Sequence, residues 1–159
     1  MKTYKLFRAI IFLIAVIAVT AVTAQKQPGA KATAIKNAVD SQHYTFTAQY
    51  ANPLRGGQRY LTSQYTIVVS KDKIICDLPF FGQSSSAPMP GSEGGIHFTT
   101  TNFVYTATPA KKGGWEVNIK LKDVNDVQQL SLSIFNNGTA LVNVSNINRD
   151  PISFNGQVR

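Results

Sequence analysis

The chain has 159 residues, about the size of one domain, and 43% are apolar, 15% charged and 10% aromatic, which excludes a disordered polyelectrolyte. A single cysteine excludes a disulfide framework within one chain. One cysteine and two histidines are also too few to form a zinc site from these residue types alone. The net charge of +8 comes from basic residues scattered along the chain, which is typical of a solvated surface and not of a nucleic-acid-binding face.

The first 24 residues have the pattern of a secretory signal peptide. A basic start precedes the uncharged stretch of residues 9–24, which ends in the sequence VTA. This pattern predicts cleavage after Ala24 and export to the periplasm or the extracellular space. No cysteine follows the stretch, so no lipid anchor at the new N-terminus is expected. The alternative is an uncleaved membrane anchor, for which the stretch is short because a span needs about 20 apolar residues.

Residues 25–159 are expected to form one β-rich domain that begins with a short helix. Ile35, Ala38 and Val39 recur at the spacing of one helical face, which predicts a helix over about residues 31–40. From residue 43 the period of the apolar residues changes to two, which is typical of half-buried strands. No transmembrane span is expected in this part of the chain.

The alternation predicts roughly eight to ten short strands, and Asn137-Gly138 predicts a hairpin with a type I′ turn. Strands joined by short turns favour an antiparallel meander that closes into a barrel or a strongly curved sheet, because open edges promote aggregation. We expect the helix to plug or flank one end. The side chains assigned to the interior are Tyr44, Phe46, Tyr50, Tyr65, Ile67, Trp115, Val117, Ile119, Leu130, Leu132 and Phe154.

A long irregular stretch, residues 79–95, interrupts the strands, and such loops in compact domains are usually functional or disordered. Phe80 and Phe81 lie at its root. Adjacent aromatic residues cannot both face one side of a strand, so we expect one to anchor the loop and the other to lie at the mouth of a cavity. The alternative, which stays open, is that both phenylalanines pack in the core. The predicted ligand-binding residues are Phe80, Phe81, Gly82, Tyr65 and Trp115.

Catalytic and metal-binding patterns are weak in this sequence. His43 and His97 are its two imidazoles, and His97 falls on the outward face of its predicted strand. Cys76 falls on an inward face, where a buried structural role is favoured. Asp77 and Glu93 flank the long loop and are the best remaining carboxylate pair, at a separation that the sequence does not give. We therefore expect no enzymatic activity, no catalytic residue, no cofactor and no metal.

The sequence resembles the DUF4251 family through motifs that follow one another from about residue 36 to residue 158. At the long loop they are PFFG from Pro79, AP from Ala87 and GGIHF from Gly94. Elsewhere they include YTF from Tyr44, GW from Gly114 and ISFNG from Ile152. The family consists of small secreted proteins of Bacteroidetes with no assigned activity. The resemblance therefore implies a common fold and export, and it implies no catalytic residue.

Three functions are compatible with this sequence. The favoured one is a non-enzymatic exported binding module, because a barrel of about eight strands with aromatic lining can hold one small apolar or amphipathic ligand. The first alternative is a structural or partner-binding envelope protein with a filled core and an exposed apolar patch or sheet edge. The second is an envelope hydrolase, which requires His43 or His97 within about 3 Å of a serine, cysteine or carboxylate in a cleft.

Overall fold

The computed structural model describes residues 29–85, 94–111 and 113–159. Within these ranges the chain forms one helix and nine strands: α1 (Ala30–Asp40), β1 (Tyr44–Pro53), β2 (Arg59–Val69), β3 (Ile74–Leu78), β4 (Ile96–Thr100), β5 (Phe103–Pro109), β6 (Trp115–Leu121), β7 (Val127–Ile134), β8 (Thr139–Asn146) and β9 (Ile152–Val158). The predicted helix and the predicted number of strands are confirmed. The predicted signal peptide and Glu93 lie outside the described residues. None of the described helical structure is long and apolar enough to cross a membrane.

The strands form one antiparallel sheet in the order β4-β3-β2-β1-β9-β8-β7-β6-β5. The two edge strands of this order, β4 and β5, are consecutive in the chain and are separated only by Thr101 and Asn102. The sheet must therefore curl until its edges meet at this link, and it forms a nearly closed barrel. The predicted barrel-like antiparallel meander is confirmed. Neighbouring strands in the sheet are consecutive in the chain except for β1 and β9, which pair with each other.

The core fills the interior of the barrel, where every second residue of the strands points. Phe46 and Phe154 are the largest side chains with no exposed surface. The Phe46 ring covers Gly156, at which an added Cβ would lie 2.8 Å from the ring and 2.0 Å from the carbonyl oxygen of Thr47. The missing side chain of Gly156 thus makes the space that the ring occupies. Cys76 is buried, as its inward position predicts.

The helix α1 covers one end of the barrel through its buried residues Ile35 and Val39. The Tyr105 hydroxyl donates a hydrogen bond to the carbonyl oxygen of Val39 at 3.2 Å and lies 3.4 Å from the Tyr44 hydroxyl. Because Tyr105 has one hydroxyl proton, Tyr44 is the donor within the tyrosine pair. This chain of two hydrogen bonds connects β1, β5 and α1 in the barrel interior.

The expectation that Tyr50 faces the interior is wrong, since its side chain is 38% exposed. A β-bulge lies between Ala48 and Tyr50 in the pairing of β1 with both of its neighbours. The extra residue reverses the alternation, so that Ala51 becomes the buried residue of the second half of β1. Outside the barrel, the Tyr50 ring packs edge-to-face against Tyr60, with 5.3 Å between the ring centroids.

The hairpin at Asn137-Gly138 is confirmed, but the predicted type I′ turn is wrong. Gly138 has a φ of 83°, whereas the φ of Asn137 is not positive. The Gly138 N–H donates to the carbonyl oxygen of Phe135, and the Phe135 N–H donates to that of Thr139, both at 2.9 Å. These bonds describe the three-residue hairpin connection that ends in a left-handed glycine, for which one positive φ suffices.

Candidate functional site

Four of the predicted ligand-binding residues lie at two opposite ends of the barrel: Trp115 at one, and Phe80, Phe81 and Gly82 at the other. At the helix end, α1 lies against Gly138 in the β7–β8 turn, where an added Cβ would be 3.4 Å from the Ile35 side chain. At the loop end, the Phe80 ring contacts Arg149 in the β8–β9 turn. Since these two turns terminate opposite ends of β8, the structure separates Phe80, Phe81 and Gly82 from the helix end.

Each phenylalanine at the loop end is covered by an arginine. The guanidinium carbon of Arg149 lies 5.2 Å from the centroid of the Phe80 ring, and that of Arg59 lies 4.7 Å from the Phe81 centroid. These are distances of cation–π pairs. Both rings are partly buried and pack against the core. Gly82 lies close to this arginine–phenylalanine cluster, since an added Cβ would come within 2.9 Å of the Phe80 ring.

Arg149 connects both ends of the long loop to the β8–β9 turn. Its Nη1 donates to the carbonyl oxygen of Gly95 at 2.8 Å, and its Nη2 lies 3.5 Å from the Asp126 carboxylate. On the other side, the Asp150 N–H donates to the carbonyl oxygen of Gln83 at 3.0 Å, and the Asp150 carboxylate accepts from the Gln83 N–H at 3.1 Å. At the loop end, hydrogen bonds therefore connect the long loop firmly to the β8–β9 turn.

A groove of about 640 Å³ lies at the helix end, between α1 and the β5–β6 turn. Its lining includes Ala32, Thr33 and Lys36 of α1, Pro109 and Trp115 on either side of the turn, and Asn136. The polar groups among these side chains are the hydroxyl of Thr33, the ammonium of Lys36, the amide of Asn136 and the indole N–H of Trp115, and the rest of their surface is apolar. We call this space the helix groove.

The β5–β6 turn takes its shape from two consecutive glycines. Gly113 and Gly114 have φ values of 86° and 94°, a region that favours glycine. An added Cβ at Gly114 would lie 2.1 Å from the carbonyl oxygen of Ile134. The turn therefore lies directly against the end of β7. Ala32 of the facing helix and Trp115 after the turn both line the groove.

Tyr65 and Trp115 lie in one row of paired residues that crosses the sheet. The strand register connects Trp115 of β6 through the intermediate strands to Tyr65 of β2. The residues of this row between them are Ile134, Ala140, Gly156 and Ala48. Tyr65 is half-buried and packs against the core, and four strands separate β2 from β6 in the sheet. Of the predicted ligand-binding residues, only Trp115 lines the helix groove.

The nearest approach to a catalytic pair is His97 with Asp77. Their Nδ1 and Oδ1 atoms lie 2.8 Å apart in directly opposite positions of β4 and β3. Both side chains are about half exposed on the outer face of the sheet, which is the predicted outward position of His97. Burial raises the pKa of the Cys76 thiol, which disfavours the reactive thiolate. The described residues contain no group of three or more acidic, histidine or cysteine side chains that could hold a metal.

The residues that sequence reasoning missed belong to contacts between distant parts of the chain. Arg59 and Arg149 cover phenylalanines that are far from them in sequence. Ala32 and Lys36 meet the β5–β6 turn only because the sheet curls beneath α1. Trp115 is the residue of the helix groove that the sequence predicted, and the consecutive glycines Gly113-Gly114 are the local signal for the turn beside it.

Comparisons with known proteins agree with this architecture. The family model described as a domain of unknown function, DUF4251, matches residues 26–158. The crystal structure of a DUF4251 family protein from Bacteroides eggerthii DSM 20697 is similar, with a TM-score of 0.58 at 15% sequence identity. The similar region covers 80% of this chain and 86% of that one. At this identity the likeness concerns the fold alone. A comparison with curated proteins finds no match.

Proposed function

This chain belongs to the DUF4251 family of domains of unknown function, and we propose that it binds a small apolar or amphipathic ligand without catalysing a reaction. The observation that carries the proposal is the helix groove. Its volume of about 640 Å³ falls within the range of small-ligand sites, which is roughly 300–1,000 Å³. The proposed site thus lies at one end of the barrel, whose interior is filled by core side chains.

The lining of the helix groove suits a ligand with an apolar body and one polar head. Trp115, Pro109 and Ala32 offer apolar surface to an alkyl chain or a ring. Lys36 lines the same groove, and its ammonium pairs with Asp40 one helical turn away. Such an exposed pair contributes little free energy, so a ligand carboxylate can compete for the lysine. A fatty-acid-like carboxylate is therefore the chemistry that we propose for the ligand.

The proposed place of action is the periplasm or the extracellular space. The support is the signal-peptide pattern of residues 1–24, which ends in small residues. A carrier of apolar molecules is useful in an aqueous compartment because such molecules dissolve poorly there.

The first experiment is native mass spectrometry of the protein that a bacterial host exports from the full chain. We expect a mass excess that disappears on denaturation. In a second step, delipidated protein is titrated with dodecanoate while tryptophan fluorescence is recorded. Trp115 is the single tryptophan of the chain and lines the helix groove, so its emission reports occupancy of this site.

Two variants of α1 make a matched pair. Ala32→Phe places a ring in the helix groove and is expected to weaken dodecanoate binding at least about tenfold. Ala34→Phe adds the same ring at an exposed position of the helix that does not line the groove, and the affinity should stay within about twofold. Equal binding by both variants would exclude the groove as the site. A native mass without excess, together with an unchanged emission, would overturn the proposal.

The filled core favours one second candidate, a partner-binding envelope protein. Val68 and Ile75 are directly opposite one another on the outer face of β2 and β3, and both are exposed. A pair of exposed aliphatic residues on a sheet is a small apolar patch of the kind that contacts other proteins. This candidate predicts no mass excess and no response of Trp115 to dodecanoate, so the experiments above distinguish the two functions.

A further inference from the structure

The backbone groups along one side of β5 have no strand partner among the described residues. In the pairing of β5 with β6, the Ala110 N–H donates to Gly114 and the Lys122 N–H donates to Asn102, both at 3.0 Å. Hydrogen-bonded pairs alternate along an antiparallel ladder, so the even-numbered residues of β5 bond to β6. The N–H and C=O groups of the odd-numbered residues therefore point away from β6, toward the unpaired edge.

Between Phe103 and Thr108 this edge carries no charge and no proline, which are usual protections against strand pairing; the one proline of β5, Pro109, lies at its end. Phe103–Pro109 contains no charged residue, although lysines and inward charges are common on edge strands. From Thr106 to its end, β5 is exposed on both faces, so side chains do not cover the backbone. The other edge strand, β4, is shorter, with five residues against seven, and it carries the His97–Asp77 pair with β3.

We propose that β5 pairs with β5 of a second copy of this chain in an antiparallel, two-fold symmetric dimer. The proposal is independent of ligand binding in the helix groove. In the register that centres on Thr106, Tyr105 of one copy lies opposite Ala107 of the other. These two residues can exchange both backbone hydrogen bonds, because their N–H and C=O groups all point to the free edge.

The edge is complementary to a copy of itself in donors, acceptors and charge. Phe103, Tyr105 and Ala107 each offer one donor and one acceptor, while Pro109 offers an acceptor only and so ends the ladder. Phe103 of each copy can donate to Pro109 of the other at the two ends. The absence of charge on β5 means that the two copies do not repel one another along the contact.

The two-fold axis makes a sharp prediction for position 106. The two Thr106 residues would form a non-hydrogen-bonded pair, in which the Cα atoms are about 4.5 Å apart. That distance permits a disulfide. The variant Thr106→Cys, in the full chain exported by a bacterial host, is therefore expected to oxidise to a covalent dimer. Cys76 is buried and does not compete.

Asn118→Cys is the matched control, because Asn118 lies directly opposite Thr106 on β6 and is also exposed. Because Asn118 lies one strand farther from the two-fold axis of the proposed dimer, a cysteine there should not cross-link the two copies. Sedimentation of the wild-type protein at about 100 μM is expected to show a dimer. Thr106→Lys should weaken that dimer at least about tenfold, since it places like charges face to face on the axis. A wild-type monomer at this concentration, or equal cross-linking of both cysteine variants, would overturn the proposal.

Discussion

Tyr44 and Tyr105 form a hydrogen-bonded pair, 3.4 Å between hydroxyl oxygens, that joins the middle of the sheet to its edge. Tyr105 in turn donates to Val39 of α1, so one short chain of hydroxyls holds α1, β1 and the edge strand β5 together. Burial is the main cause that raises the pKa of both tyrosines. The pair is therefore neutral in the folded protein across the physiological range.

The raised pKa values predict a loss of stability in alkaline solution. A group with a higher pKa in the folded state stabilises that state below its ordinary pKa and loses this contribution as the pH rises further. The ordinary pKa is 10.0 for Tyr44 and 9.0 for Cys76, whose pKa is also raised by burial. We expect the free energy of unfolding to stay level up to about pH 9 and to fall above it, as measured by urea denaturation between about pH 7 and 11.

The variant Tyr44→Phe tests the contribution of this tyrosine. At neutral pH it should lower the free energy of unfolding by about 1 kcal/mol, because one buried hydrogen bond is lost. Above about pH 10 its stability should fall less steeply than that of the wild-type protein, since one ionisable group is gone. Parallel pH profiles of the two proteins would show that another group causes the alkaline loss.

Gly156 is expected to be among the most sensitive positions of the core. In Gly156→Ala the new Cβ would lie 2.0 Å from the Thr47 carbonyl oxygen, which belongs to the backbone and cannot rotate away. We expect a loss of about 3 kcal/mol or more in urea denaturation. Gly29→Ala is the control, because nothing lies within 4 Å of its added Cβ, and the loss there should be about 1 kcal/mol or less. Similar losses at both positions would contradict the close contact at Gly156.

Arg149 is expected to stabilise the protein more than Arg59, although both cover a phenylalanine. The Arg149 side chain is 12% exposed and also bonds to Gly95 and Asp126, whereas Arg59 is exposed. Arg149→Ala should therefore cost about 2–3 kcal/mol of unfolding free energy. Arg59→Ala should cost less than about 1 kcal/mol. Thermal and urea denaturation of both variants measure the difference, and a larger loss for Arg59→Ala would refute the ranking.

The signal-peptide prediction is tested by the mass of the exported chain. When a bacterial host expresses all 159 residues, the protein recovered outside the cytoplasm should begin at Gln25. Ala24→Leu replaces the small residue before the predicted cleavage point and should leave the leader attached. A wild-type protein that keeps residues 1–24 in the membrane fraction would instead indicate an uncleaved anchor.

Much of the fold follows from local patterns in the sequence. The alternation of residues 115–121 predicts which side of β6 is buried, because successive side chains of a strand point to opposite faces. The same rule places Cys76 inside the barrel and His97 outside it. Polar turn residues between such segments mark where the chain reverses. The strand number, the antiparallel meander and the short helix are properties of this kind.

Other features depend on residues that meet only after the sheet has formed. The bulge that turns Tyr50 outward arises from the pairing of β1 with two strands at once, so the alternation of β1 alone predicts the wrong side. The pairing of β1 with β9 joins the first and last of the nine described strands. Neither has a local sequence signal, because each is decided by the register between separate strands.

At the two ends of the barrel, too, the sequence predicts some features and the tertiary structure alone decides others. The sequence by itself indicated a long loop, residues 79–95, with Phe80 and Phe81 at its root. Only the tertiary structure placed Arg149 against Phe80 and α1 beside Trp115. Strand, turn and helix patterns depend on residues that are neighbours in the sequence. The groove and the arginine–phenylalanine contacts depend on residues that are distant in the sequence. Such contacts form when the curled sheet buries its apolar face and brings distant segments together.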